Sequence, residues 1–248
     1  MQWITSEILT IALVFVLAGL VKGVTGMGLP TVAMGLLGLV TAPAQAAALV
    51  VVPSLFTNVW QFLSGPRRLA LARRIWPMLV TICLATWAAT GLMTGVGAAR
   101  AVTWLGIALV AHAALGFAKI RLSVPESYEP WLSPVAGAAT GVVTGATGVF
   151  VIPAAAYLEA LGFEKDDLVQ VLGLSFTTST LALAAGLATR GAFQISAAGS
   201  SMLCVAPALV GMAIGQVIRA RVNPVKFRAI FLTGLVFLGG DLIARSAM

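Results

Sequence analysis

The sequence predicts an all-α polytopic membrane protein built from two inverted repeats of about five membrane segments each. Three observations lead to this fold class. First, 60% of the 248 residues are hydrophobic and only 9% are charged, whereas soluble domains carry about 25% charged residues. Second, apolar runs recur along the whole chain between short basic loops. Third, two glycine-rich breaks interrupt the apolar pattern, and we expect each repeat to open with a glycine-broken or re-entrant helical hairpin there.

Ten apolar runs follow one another along the chain. They cover about 8–21, 27–40, 44–64, 75–96, 101–118, 132–144, 149–161, 168–188, 195–217 and 229–243. A full span needs about 20 residues, and the third, fourth, fifth, eighth and ninth runs are long enough, with the tenth nearly so. The runs beside the breaks have only about 13 or 14 residues each. Each broken pair is therefore compatible with one kinked span, a re-entrant hairpin or two short spans.

The distribution of the basic residues favours a chain that enters and returns at each break. If each broken pair is a single span, eight Lys and Arg residues lie on one side and six on the other. If each pair returns, the division is eleven against three, with Lys22 counted on neither side. The larger set contains Arg67, Arg68, Arg73, Arg74, Lys119, Arg121, Lys165, Arg219, Arg221, Lys226 and Arg228, and the smaller set Arg100, Arg190 and Arg245. Basic residues accumulate on the cytoplasmic side. We therefore expect a multi-pass protein of the cytoplasmic (inner) membrane with both termini outside and the second repeat inverted.

The two halves of the chain align with each other at a shift of 122 residues. This shift places Gly19, Val21, Gly23, Thr25 and Gly26 on Gly141, Val143, Gly145, Thr147 and Gly148, and it places Thr57-Asn58 on Ser179-Thr180. Chance similarity between helices rich in Gly and Ala is the alternative. We predict a first membrane repeat over residues 1–121, a linker loop over 122–130 and a second membrane repeat over 131–248.

The glycine breaks, Gly19–Pro30 and Gly141–Pro153, form the candidate binding site. A helix that begins at a break directs unpaired N–H groups and its positive dipole end toward the break. Glycine also allows a ligand to approach the backbone closely. We expect the returning helices to start near Met27 and Val149. The predicted substrate-binding residues at the breaks are Lys22, Gly23, Thr25, Gly26, Thr144, Gly145, Thr147 and Gly148. In the alternative interpretation, the glycines serve close helix packing and Lys22 extends to the membrane surface.

Polar residues inside two full-length spans extend this candidate site. They are Thr57 and Asn58 in the first half and Thr177, Thr178, Ser179 and Thr180 in the second. Hydroxyl groups in membrane helices often bond only to their own backbone, which is the alternative. His112 is the sole histidine. It is either a proton relay or a neutral, hydrogen-bonded packing residue, and the second interpretation is favoured.

The sequence resembles the TauE/SafE family of membrane anion transporters, the sulfite exporter family. The resemblance rests on the two glycine-rich segments that end in proline, on residues 156–162 and on the Ser/Thr-rich helix that begins at Leu174. It covers essentially the whole chain as two repeats. It implies transport of sulfite, sulfoacetate or another sulfur-containing anion. The break residues that match the family pattern are Gly23, Thr25, Gly26, Gly145, Thr147 and Gly148.

These features predict a secondary transporter that moves small sulfur-containing anions, sulfite or sulfonates such as sulfoacetate, across the cytoplasmic membrane. A passive anion channel would share the site and stays open as an alternative, as does, with less support, a membrane-embedded assembly or scaffold subunit. One His and two separated Cys do not supply the clusters that hydrolytic or metal chemistry needs, so we expect no enzyme activity, metal or cofactor. The expected partners are a small anion and the lipid bilayer, without nucleic acid, and a homodimer stays open.

Overall fold

The computed structural model describes residues 2–95, 97–118 and 123–247. These residues form twelve α-helices and no strand, which confirms the all-helical prediction. The helices are α1 Gln2–Thr25, α2 Leu29–Leu37, α3 Pro43–Leu63, α4 Arg68–Ala89, α5 Gly91–Thr94, α6 Ala98–Ala118, α7 Glu129–Thr147, α8 Ala154–Ala160, α9 Lys165–Ala188, α10 Ile195–Leu203, α11 Val205–Arg219 and α12 Pro224–Ala247. A short 3-10 helix, Glu126–Tyr128, precedes α7. The repeat boundary predicted at 121–122 lies outside the described residues.

Seven helical segments in this part of the chain are long and apolar enough to cross a membrane. They are Ser6–Thr25, Pro43–Leu63, Arg68–Thr94, Arg100–Ala118, Lys165–Ala188, Ala197–Arg219 and Val225–Ser246. Single residues separate α4 from α5 and α10 from α11, so each of these pairs forms one segment. Together with α2, α7 and α8 the described helices make ten segments, at the places of the ten apolar runs. The chain is a multi-pass membrane protein.

Helix α1 packs along α11, and helix α4 packs along α7. Glycines bring α1 and α11 into backbone contact, because a Cβ atom at Gly19 would overlap the carbonyl oxygen of Ala208 and one at Gly23 would overlap that of Met212. Later residues of one helix face later residues of the other, so the two helices run parallel. Corresponding close contacts between α7 and α4 are Gly137 with Met78, Gly141 with Ile82 and Gly145 with Thr86. This second pair is therefore parallel as well.

Helix α3 packs along α9, and helix α6 packs along α12. Both pairs run antiparallel, because the residue numbers of the partners change in opposite directions. Between α3 and α9 the contacts include Asn58 with Gly173 and, at the end of α3, Gly65 with Gln170. Between α6 and α12 they are Thr103 with Ser246, Gly106 with Gly239 and Gly116 with Arg228.

The chain leaves helical geometry at both predicted glycine breaks. The first break lies between the end of α1 at Thr25 and the start of α2 at Leu29, and the second between Thr147 and Ala154. Each break enters a buried apolar cluster. Leu29 belongs to the cluster formed mainly by α1, α2, α3 and α6, and Phe150 belongs to the one formed by α4, α8 and α9.

The helix after the second break starts five residues later than predicted, since α8 begins at Ala154 and not near Val149. Pro153 explains the difference, because proline has no N–H and disfavours helical geometry in the residue that precedes it. In the first break Pro30 already lies within the first turn of α2, where a missing N–H needs no partner. The two breaks therefore differ in length although their sequences are related.

Candidate functional site

The first break is shaped by a threonine and two glycines. The hydroxyl oxygen of Thr25 lies 2.9 Å from the carbonyl oxygen of Val21 and 2.6 Å from that of Met27, and it accepts the Met27 N–H at 3.3 Å. Gly26 has φ +81° and Gly28 has φ +100°, the left-handed region that glycine adopts without steric cost. The helix therefore stops at this point, and the side chain of Thr25 bonds to the backbone on both sides of the break.

The second break repeats this arrangement at the positions that the 122-residue shift predicts. The Thr147 hydroxyl donates to the carbonyl oxygen of Val143 at 2.7 Å and accepts the Val149 N–H at 3.1 Å. Gly148 has φ +72°, and its N–H donates to the carbonyl oxygen of Thr144 at 2.7 Å. The two breaks thus share the hydrogen bonds of their threonine and first glycine, whereas the left-handed Gly28 corresponds to Phe150 in the second break.

Two of the predicted glycines lie at helix contacts. A Cβ atom at Gly23 would overlap the carbonyl oxygen of Met212 on α11, and one at Gly145 would approach the carbonyl oxygen of Thr86 on α4 at 2.6 Å. These two positions therefore hold α1 and α7 against their neighbours, in the way the packing interpretation expects. Gly26 has nothing within 4 Å of its Cβ position, so its surroundings leave room beside the backbone.

Lys22 is buried near the end of α1, with only 4% of its surface exposed. Its ammonium group donates a hydrogen bond to the side-chain oxygen of Asn58 on α3. The described ion pairs involve other residues, and none of them supplies a carboxylate to Lys22. The amide nitrogen of Asn58 is also buried and has no hydrogen-bond partner among the described residues. The Lys22 amine and an amide donor therefore lie together in the interior, and no described carboxylate is bonded to either of them.

The remaining predicted polar residues differ in whether their hydroxyl groups have a hydrogen-bond partner. The hydroxyls of Thr57, Thr144, Thr177 and Thr180 donate to backbone carbonyls three or four residues earlier in their own helices. Thr178 is half-buried. Ser179, in contrast, is fully buried and its hydroxyl has no partner in the described part of the chain. Buried polar groups are normally paired, so Ser179 and Asn58 are the members of this set that are free to meet a ligand.

Four further buried Ser and Thr hydroxyls without a described partner were not among the predicted site residues. They belong to Thr31 on α2, Ser54 on α3, Thr86 on α4 and Ser175 on α9. Ser54 lies one helical turn before Asn58, and Ser175 one turn before Ser179. Residues four apart share one face of a helix, so this spacing is a sequence signal for Ser54 and Ser175.

The start of α2 is a buried helix N-terminus without a side-chain cap. Gly28, Leu29, Pro30 and Thr31 are all buried, and the first described intrahelical bond of this turn is from Val32 N–H to the Gly28 carbonyl, at 2.9 Å. The first N–H groups of a helix have no partner within the helix and carry a partial positive charge. The break thus presents backbone donors and the free Thr31 hydroxyl in the protein interior.

Both breaks reach one cavity of about 760 Å³. Thr25 and Met27 line it from the first break, and Val151 and Ile152 from the second. Of the predicted binding residues, Thr25 is the one in the lining. The charged residues that line the cavity are three basic residues, Lys165, Arg219 and Arg228, and one acidic residue, Glu159. His112 also lies in the cavity wall. The sequence placed these charged residues in separate loops and gave no sign that they surround one space.

One of three comparisons with known proteins assigns the chain to a family. The family model described as Sulfite exporter TauE/SafE matches residues 11–242, nearly the whole chain and both breaks. No curated protein and no solved structure gives a significant match. Together, the multi-pass helical fold, the two glycine breaks at one cavity and this match confirm the resemblance, and the chain belongs to the TauE/SafE sulfite exporter family.

Proposed function

We propose that the protein is a secondary transporter, and not an enzyme, that moves small sulfur-containing anions, sulfite or sulfonates such as sulfoacetate, across the cytoplasmic membrane. The observation that carries the proposal is that both helix breaks reach one cavity in whose lining cations outnumber carboxylates by three to one. Interrupted helices inside a membrane protein occur where backbone lines a cavity or is buried in protein, and in transporters they hold the substrate. Membership of a sulfite exporter family supports a sulfur oxyanion as the cargo.

The proposed architecture is two inverted repeats, each opening with a glycine-broken helical hairpin. The shift of 122 residues carries α3 onto α9 and α6 onto α12, and in both cases the two related helices run antiparallel. It also carries α1 onto α7, and each of these helices packs parallel to a partner, α11 or α4, from the other half. Related helices that point in opposite directions support an inverted second half, and inversion is what allows alternating access around a central site.

Lys22 supplies the positive charge of the proposed site. Moving an ammonium group out of water costs several kcal/mol, and a buried charge persists when an opposite charge or good hydrogen bonds offset that cost. Asn58 offers one neutral oxygen, which orients the ammonium group but leaves its charge uncompensated. A transported anion would complete the arrangement, because it could accept hydrogen bonds from the Lys22 ammonium and from the free amide nitrogen of Asn58.

The breaks supply backbone donors and shape to the same site. The hydroxyl groups of Thr25 and Thr147 donate hydrogen bonds to backbone carbonyl oxygens. Their proposed role is therefore to stabilise the non-helical geometry of the breaks. The uncapped start of α2 would direct N–H groups and the Thr31 hydroxyl at the anion. On α9, the unpartnered hydroxyl of Ser179 extends the site toward the second repeat.

The cavity supports an orientation in which it opens to the cytoplasm. Lys165, Arg219 and Arg228 line it, and all three belong to the large basic set that the positive-inside rule places in the cytoplasm. Both termini would then lie outside. In this interpretation the structure is the inward-open state, and the outward-open state would follow from movement of one group of helices around the breaks.

Flux measurements in proteoliposomes test the proposal. The purified protein would be reconstituted, and the movement of sulfite, sulfate, taurine and sulfoacetate would be followed in both directions. We expect flux of sulfite or a sulfonate that saturates with concentration. Flux that never saturates would indicate a passive anion channel that uses the same site. Failure to move any sulfur-containing anion in either direction would contradict the proposal.

A further inference from the structure

His112 occupies a position in the cavity wall that the proposed site does not use. It lies on α6, only 9% of it is exposed, and Nδ1 is buried without a hydrogen-bond partner among the described residues. Phe231 on α12 stands edge-on to the imidazole, with 6.0 Å between ring centroids, and lines the same cavity. A histidine that serves packing alone normally has its buried nitrogen atoms paired. The unpaired Nδ1 therefore indicates a partner that the described residues do not provide.

The charged groups that line the same cavity as His112 come from four other helices. Arg228 at the start of α12 donates to the carbonyl oxygen of Gly116 at 3.3 Å, one turn beyond His112 on α6. Arg219 on α11 and Lys165 on α9 add two more cations to the cavity lining, and Glu159 on α8 adds the carboxylate.

The other helices packed against α6 contribute little charge near His112. Helices α2, α3 and α5 contain no ionisable side chain, and α7 contains only Glu129, which is bound by Arg74. The sole charged residue within α6 is Arg100, near its opposite end. Lys22 is bonded to Asn58 and is not part of the cavity lining.

We propose that His112 and Arg228 form a second anion subsite in this cavity, and that His112 takes up a proton when an anion occupies it. The ligand class is a small oxyanion such as a sulfonate, sulfite or sulfate. Its oxygen atoms accept hydrogen bonds from the Arg228 guanidinium and from the protonated imidazole, in which both ring nitrogens are donors. This inference rests on the proposed anion transport and adds a waiting position between the cytoplasm and Lys22.

Electrostatics links the proton to the anion. Arg228 creates a positive potential at the imidazole, and an anion bound to Arg228 cancels part of that potential. Proton binding to His112 then becomes more favourable. By thermodynamic linkage the protonated imidazole in turn binds the anion more tightly, so anion affinity increases as the pH falls. A single linked proton changes the Kd by at most about tenfold per pH unit.

Proton uptake by the purified full-length protein tests this inference. Sulfate and methanesulfonate are suitable probes, because neither anion titrates near neutral pH and any proton bound is bound by the protein. We expect anion binding in a weakly buffered detergent solution to withdraw up to one proton per site from the solution. We also expect a Kd that increases with pH. Because these measurements use the unaltered protein, they do not depend on the folding of a variant.

Three variants identify the group that takes up the proton. His112→Gln keeps hydrogen-bonding capacity but cannot be protonated, so we expect it to bind the probe without proton uptake and with a nearly pH-independent Kd. Arg228→Gln should weaken the pH-dependent binding about tenfold or more at every pH, since it removes a charge-assisted bond. Lys226→Gln, on the same helix but outside the cavity lining, is the matched control and should bind as the unaltered protein does.

The outcomes distinguish this inference from the proposed function. If the unaltered protein binds sulfate or methanesulfonate without proton uptake, or if His112→Gln still takes up the proton, the His112 subsite is contradicted while anion transport is not. If the unaltered protein binds neither these probes nor sulfite at any pH, the proposed function fails and the subsite fails with it.

Discussion

Replacement of Lys22 by methionine is the sharpest test of the proposed anion site. Methionine has nearly the length of lysine, so Lys22→Met removes the charge and the hydrogen-bond donors while it keeps most of the buried volume. Lys22 is 4% exposed, and its ammonium group bonds to Asn58. The variant therefore separates the contribution of Lys22 to stability from its contribution to anion binding.

The expected effects on stability and on binding differ in size. Loss of the buried charge removes a desolvation cost of several kcal/mol. It also leaves the Asn58 side-chain oxygen unpaired, which costs about 1–3 kcal/mol. These terms oppose each other, so we expect the free energy of unfolding to change by less than about 2 kcal/mol. Nothing offsets the loss in the anion complex, where a hydrogen bond to a charged group contributes about 1.5–3 kcal/mol. Anion affinity should therefore fall about 10- to 150-fold.

The measurements are flux of sulfite or sulfoacetate into proteoliposomes and thermal unfolding in detergent. Lys226→Met is a matched control, because Lys226 is exposed and outside the cavity. It should leave both measurements unchanged. If Lys22→Met transports at the rate and half-saturation of the unaltered protein, the assignment of Lys22 to the anion site is wrong.

A second variant tests the pair of Lys22 and Asn58 by adding a negative charge beside Lys22. Asn58→Asp places a carboxylate where the Asn58 oxygen already accepts the Lys22 hydrogen bond. The internal carboxylate then takes the place of the transported anion, so we expect transport to be lost while the melting temperature stays the same or increases. Retained transport would show that the charge of Lys22 is not the one that the anion needs.

The remaining predictions concern packing and topology. Gly211→Ala should lower stability by about 1–3 kcal/mol, because its Cβ would overlap the carbonyl oxygen of Val16 across the α1–α11 contact. Gly234→Ala, which has open space at its Cβ position, should leave stability unchanged or slightly higher, and thermal unfolding of both variants makes the comparison. Tags at residues 41–43 and 190–193 should be accessible from outside intact cells, and labelling only after the membrane is opened would contradict the proposed orientation.

The apolar pattern of the sequence was sufficient to locate the helices. The run predicted at 44–64 corresponds to α3, Pro43–Leu63. The run predicted at 75–96 corresponds to a segment that begins seven residues earlier, at Arg68. The predicted run began only after Arg68, Arg73 and Arg74, because these residues are charged. Long basic side chains at the end of a membrane helix can reach the polar surface while the backbone stays helical.

The state of individual hydroxyl groups could not be predicted from the sequence. Thr147 and Thr177 bond to carbonyl groups one turn earlier, whereas Ser179 in the same polar stretch as Thr177 is buried without a described partner. Every Ser or Thr in a helix has a carbonyl within reach one turn earlier. Whether the hydroxyl uses it depends on the neighbouring helices, which the local sequence does not specify.

The charged cavity was also beyond prediction, because it depends on the tertiary arrangement. Lys165, Arg219 and Arg228 appear in the sequence as ordinary cytoplasmic loop charges, and the positive-inside rule accounts for them fully at that level. The starts of α9 and α12 and the end of α11 bring them around the space that both breaks reach. The sequence therefore identified the breaks but not the cavity that connects them.

The position of a bound anion tests the central claim most directly. Electron cryomicroscopy of the protein with saturating sulfoacetate should show density within about 3 Å of the Lys22 ammonium group, with the chain non-helical at 26–28 and at 148–153. Continuous helix through either break, or saturating anion with none of its density beside Lys22, would contradict the account.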